Sequence, residues 1–166
     1  MEGQPFFTTV AGLAVSLAGF GSVIAWLRDD PTGWDPINLW RVRTIVRHGL
    51  TLAFICLLLV PAFYLTGDET TTIRLGSSGL AFVMAMEIWL VRQPDPEVWV
   101  PRSSWAIFIW TNAVFGLLQV LNVLWGSLAG LQFGVLVILT SPAGIFYNFV
   151  REMGRGVGTA SREGPD

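Results

Sequence analysis

Glu87 is the one carboxylate that falls within a long apolar run of this chain, the stretch from Ile73 to Val91. A lone carboxylate among hydrocarbon side chains is costly, so it needs a partner and marks a candidate site. Depth names the partner. Glu87 lies four residues, roughly 6 Å at 1.5 Å per residue, from the end of its run. Arg47 and His48 fall at a similar height on the preceding run, so the spacing predicts that Glu87 pairs with Arg47 or His48. Such a group serves either as an ion pair locking two helices, its ends partly reaching the interface, or as an ion or proton site.

A second pattern is carried by Trp105, Phe108, Asn112, Phe115, Gln119 and Asn122, which recur at alternating steps of three and four. Asn112, Gln119 and Asn122 therefore share one helix face. Carboxamides on a common face either hydrogen-bond to neighbouring helices or line a hydrated path, as a pore-lining helix would. Pro142 frees the carbonyl of Ile138 and is expected to kink or loosen its helix, with Asn112 at a depth that lets its amide satisfy that carbonyl. Near the N-terminus Thr8, Gly12, Ser16, Gly19 and Ser22 form a stripe of small residues. Helix packing within the chain is its expected use, with Gly12, Ser16 and Gly19 at the centre of the face, and a subunit interface is the alternative.

Catalytic patterns are sparse. There is no HExxH and no phosphate loop, Cys56 is the single cysteine, and His48 is the single histidine. No metal, no haem and no other cofactor is expected, and the chain is not expected to be an enzyme. Gly76-Ser77-Ser78-Gly79 matches the GxSG pattern of rhomboid intramembrane proteases. That chemistry needs a histidine beside the serine, whereas Ser78 and His48 belong to opposite ends of their runs, roughly 20 Å of helix apart. The serines and glycines read more simply as a packing face.

The elements that must position these residues follow from composition. Of 166 residues 52% are hydrophobic and 13% charged, with net charge −2 and a mean hydropathy of +0.57. Such a chain takes lipid as its solvent, and its charge balance does not suggest nucleic acid as a partner. Five runs reach the roughly 20 residues that a bilayer core demands, at 6–27, 44–65, 73–91, 104–125 and 128–150. The expected fold is all-α, a polytopic membrane bundle of five transmembrane helices. The N-terminus has no basic start or cleavage site and is read as a retained first span.

Orientation follows from arginine, since all ten basic residues are arginine. With the N-terminus outside and the C-terminus inside, Arg28, Arg41, Arg43, Arg47, Arg92, Arg102, Arg151, Arg155 and Arg162 fall on the cytoplasmic side, and only Arg74 falls outside. Trp26, Trp89, Trp105 and Tyr147 then mark inner helix ends, and Trp125 and Tyr64 mark outer ones. Asp35-Pro36 reads as an N-cap with proline at the first helical position, opening an interfacial helix before the chain turns into the second span. The stretch 92–101 is proline-rich linker, Gly126-Ser127 makes a tight hairpin of the last two spans, and 151–166 is expected to be a disordered cytoplasmic tail.

Leu17-Ala18-Gly19-Phe20-Gly21, followed soon by an arginine, resembles the start of some small uncharacterised bacterial polytopic membrane proteins over about the first thirty residues. That resemblance implies a prokaryotic membrane location and nothing about chemistry. The expectations are thus a bacterial or archaeal cytoplasmic membrane, lipid contacts, and a homo-oligomeric channel or permeation protein for an ion or small solute. The alternative is a non-catalytic subunit or scaffold bound to another membrane protein.

Overall fold

The computed structural model describes residues 1–27, 36–91 and 102–160. The turn at 28–35 with its Asp35 cap, the proline-rich stretch 92–101, the residues 161–166 and the side chains of Trp26 and Trp105 lie outside the described residues. The chain is all-helical: α1 spans Gln4–Leu27, α2 Pro36–Thr66, α3 Glu69–Val91, α4 Arg102–Trp125 and α5 Leu128–Ala160. All five are long and apolar enough to cross a membrane.

Consecutive helices run antiparallel. One end of the bundle holds the N-terminus with the α2–α3 and α4–α5 turns, and the other holds every arginine of the described helices except Arg74. α2 packs against α1, α3 and α5, and α5 touches all four other helices. Among the described residues α1 meets neither α3 nor α4. The core joins Phe7, Val10 and Ala14 of α1 to Leu52, Cys56 and Leu59 of α2, Leu80 and Met84 of α3, and Leu131, Val135 and Ile138 of α5.

Two expectations about helix length are corrected. α2 does not turn between an interfacial segment and a span; it is continuous for 31 residues, about 46 Å, and so overhangs a bilayer core of about 30 Å. α5 continues ten residues past Val150, so 151–160 is helix where a disordered tail was expected. Extending an existing helix costs much less than nucleating one, which lets a polar, glycine-rich stretch follow a long apolar one.

Both turns at the N-terminal end are two residues long, and in each a glycine takes the left-handed conformation, Gly67 at φ 64° and Gly126 at φ 66°. Asp68 then caps α3, its carboxylate accepting from the amides of Thr71 at 2.7 Å and Thr70 at 3.3 Å. Those hydrogen bonds hold the Asp68 carboxyl below the usual carboxylate range. Arg74, the exception to the arginine asymmetry, donates to the carbonyl of Leu124 at 3.4 Å, in the last turn of α4 where orphan carbonyls favour a cation.

The small stripe of α1 is also corrected. Gly12, Ser16 and Gly19 are exposed, with open space beside both glycines. α1 packs through the other side: a Cβ on Gly49 of α2 would fall 2.7 Å from the Ala14 carbonyl oxygen and 3.2 Å from Ala18. Residues two apart differ by about 200° around a helix, so Ala14 and Ala18 lie nearly opposite Gly12 and Ser16. α1 carries two small faces, and its neighbour takes the alanine one.

Candidate functional site

The ionisable cluster sits where α2 and α3 cross near the arginine-bearing end. Arg47 donates from Nη2 to Glu87 Oε2 at 2.9 Å. His48 Nε2 lies 3.2 Å from the same oxygen, a close contact not aligned as a hydrogen bond. Exposure separates the two partners, because the Arg47 side chain is 45% exposed and those of Glu87 and His48 only 6% and 4%. On the far side of the ring Nδ1 is 2.8 Å from the Thr44 carbonyl. A carbonyl only accepts, so Nδ1 carries a proton. The depth comparison placed Glu87 with Arg47 or His48, and the structure brings it to both. Both contacts fall on Oε2, and among the described residues Oε1 has no hydrogen-bond partner.

Glu87 and His48 form one wall of a cavity of about 470 Å³ bounded by α3, α4 and α5. Its apolar lining includes Val83, Met84, Phe108 and Ile138, and α4 and α5 add Thr111, Asn112, Ser141 and Asn148. Elsewhere in the bundle Ser16, Ser22, Thr44 and Ser78 hydroxyls donate back to carbonyls of their own helices. Around the cavity, among the described residues, the Thr111 and Ser141 hydroxyls, the Asn112 carbonyl oxygen and the Asn148 amide make no hydrogen bond; away from it, the Thr51 hydroxyl of α2 makes none either. Ile138, whose carbonyl loses its helical donor to Pro142, lines the same space. Asn112 does not supply that donor, contrary to expectation. Its Nδ2 turns back to the Phe108 carbonyl at 2.9 Å, the nearest acceptor on its own helix.

The other two carboxamides of α4 are structural. Gln119 donates from Nε2 to the Gly130 carbonyl of α5 at 3.0 Å. Asn122 donates to Ser77 Oγ of α3 at 2.8 Å and to the Ser127 carbonyl at 3.0 Å, and its Oδ1 accepts from the Ser127 amide at 3.1 Å. They are the buried residues of α4 among those described, while Trp110, Leu117 and Leu124 of the same helix are exposed. Room for them comes from α5, where Gly130 and Gly134 lie against Asn122 and Gln119 so closely that a Cβ on either would overlap the amide. This Gly-x-x-x-Gly pair was readable in the sequence as a close-approach motif and was missed. The polar stripe is therefore divided. Gln119 and Asn122 clamp α4 to α5 and α3 next to the turn, and Asn112 belongs to the cavity further along.

Ser78 is remote from this cluster. Its hydroxyl donates to the Arg74 carbonyl, and nine residues, about 14 Å of helix, separate it from the Glu87 that His48 touches. No serine–histidine dyad forms. Gly76, in the same motif, admits Leu59 of α2 and Leu131 of α5. Among the described residues no three of His, Cys, Asp and Glu come together as metal ligands.

No family model, no curated protein and no solved structure matches this chain.

Proposed function

We propose that the chain is a non-enzymatic, multi-pass protein of a bacterial or archaeal cytoplasmic membrane that takes a small solute into the cavity between α3, α4 and α5. The observation that carries this reading is the convergence of hydrogen-bonding groups without partners on one space beside the Glu87 pair. Unsatisfied polar groups within a membrane are expensive, so a space that collects them is one that water or a ligand fills. The arginine asymmetry supports an N-terminus outside and a C-terminus inside, which puts the cavity in the cytoplasmic half. A pore assembled around α4 is less favoured, because that helix turns its carboxamides inward and exposes Trp110, Leu117 and Leu124.

Accessibility tests the reading. With Cys56 replaced by alanine, Ser141→Cys in proteoliposomes should react with a water-soluble thiol reagent at least about tenfold faster than Leu117→Cys on the exposed face of α4. Equal rates would sink it. A second reading, a subunit or scaffold, is favoured by the exposed Gly12, Ser16 and Gly19 face, which allows another helix to approach closely. Mass measurement in nanodiscs decides that one, and a monomer without a partner would remove it.

A further inference from the structure

We infer that the cavity's occupant is a neutral, hydroxyl-bearing, single-chain amphiphile that enters sideways between α4 and α5 and places its hydroxyl on Glu87 Oε1. This rests on the proposed uptake into the cavity and adds the class of ligand.

Three observations carry it. The first is the mouth. α4 and α5 are drawn together near their turn by Gln119 and Asn122, but beyond it Ile107 and Thr111 on one helix and Thr140, Gly144 and Asn148 on the other are exposed while lining the cavity. The opening thus lies between two helices, within the apolar spans that end at Ala106 and Asn148. A molecule reaching it from the bilayer has its head near the interface and its chain among hydrocarbon.

The second is the lining, since Val83, Met84, Phe108, Val137 and Ile138 give it an apolar wall. Its volume of about 470 Å³ is that of sites for small organic ligands. An inorganic ion would leave most of this wall unused.

The third is the charge arrangement. Arg47 and His48 both meet Oε2, so the oxygen left over, Oε1, asks for a donor. An anionic head would meet Oε1 with like charge. A cationic head would sit beside Arg47 and His48 and compete for a carboxylate they already occupy. Among the described residues neither α4 nor α5 brings a charged side chain to the lining. A hydroxyl donates to Oε1 and accepts from the groups offered by Thr111, Ser141 and Asn148, with no charge left unmatched.

Photolabelling tests this on the full chain in nanodiscs of neutral lipid. Three probes share one diazirine-bearing C16 chain and differ in the head: alcohol, carboxylate or amine. The alcohol should label the segments 107–112 and 137–148 saturably, and an unlabelled monoacylglycerol should compete. Gly144→Leu should cut that labelling at least about tenfold. Open space adjoins Gly144, and leucine is the better helix former, so this variant fills the cavity without disturbing the fold; its thermal melt checks that point. Labelling by the carboxylate or amine equal to that by the alcohol would overturn the head assignment and leave solute uptake standing. Equal labelling of Gly144→Leu would show that the probe sits on the outer surface, overturning the inference. If no probe labels saturably while Ser141→Cys still reacts from water, the occupant is an aqueous solute and the inference fails alone. If that cysteine is inert as well, uptake fails with it.

Discussion

Gly134→Ala should destabilise the protein on its own and become harmless once Gln119 is shortened. A methyl on Gly134 would overlap the Gln119 amide, with Cδ only 2.6 Å away. Overpacking of this kind costs about 1–3 kcal/mol. Displacing the amide also loses the 3.0 Å bond to the Gly130 carbonyl, worth about 0.6 kcal/mol on average between membrane helices and up to about 1.7. Alanine returns about 1 kcal/mol in helix propensity, leaving a net loss of about 1–3 kcal/mol. Gln119→Ala alone loses the same hydrogen bond but also removes Oε1, a buried oxygen without a partner, so its cost is small. In that background the Gly134 methyl enters vacated space, and the second substitution should be neutral or stabilising by up to about 1 kcal/mol. The four proteins of the cycle, unfolded in mixed micelles by SDS titration, should thus show a coupling of about 2 kcal/mol. Losses that simply add, within about 0.5 kcal/mol, would refute the glycine-cradled amide.

Two further outcomes follow from the charges. Glu87→Ala should destabilise strongly in the native background, about 3–5 kcal/mol where a buried partner is stranded, and much less when Arg47 and His48 are both neutralised. Because Arg47 is nearly half exposed and screened, His48→Ala should remove more of this coupling than Arg47→Ala; equal losses of Glu87→Ala in every background would refute the pairing. At the opposite end, hydrogen bonds from Thr71 and Thr70 lower the Asp68 pKa, so the capped carboxylate stabilises the fold above its unfolded pKa and ceases to do so as pH falls through its folded one. The melting temperature of Asp68→Ala should therefore lie below that of the native chain at pH 7 and converge with it in acid, and a gap constant with pH would contradict the capping role.

The helices and the Glu87 contacts were legible because they depend on quantities that a chain carries locally. Apolar length sets the spans, and height along a helix decides which side chains can meet, which put Glu87 level with Arg47 and His48. Direction around a helix axis is a different matter. On α1 the stripes through Gly12 and through Ala14 are equally small, and only the position of Gly49 on α2 chooses between them. On α4 the heptad spacing announces a polar face, yet its division between a clamp and a cavity depends on where α5 is glycine and where it diverges. Asn112 was matched to the Ile138 carbonyl by depth alone, and an acceptor on its own helix lies closer.

The two ends of the bundle are built on opposite terms, and the site depends on the contrast. At the N-terminal end left-handed glycines, the Asp68 cap, the Arg74 contact with α4 and the Asn122 clamp tie every turn to a neighbour. At the other end α4 and α5 stand apart around polar groups with no mutual partner. A helix pair pinned at one end opens at an angle fixed by its contacts before the gap, which here include Gln119 against Gly134 and the Phe115 ring against Phe133 at 5.7 Å. Val137, the first residue of α5 to line the cavity, is only three residues beyond that glycine, less than one helical turn. The width of the mouth is thus set by an amide seated on a glycine together with the ring pair beside it. Low local stability is expected where a ligand must enter, and the firm end lets the bundle tolerate it.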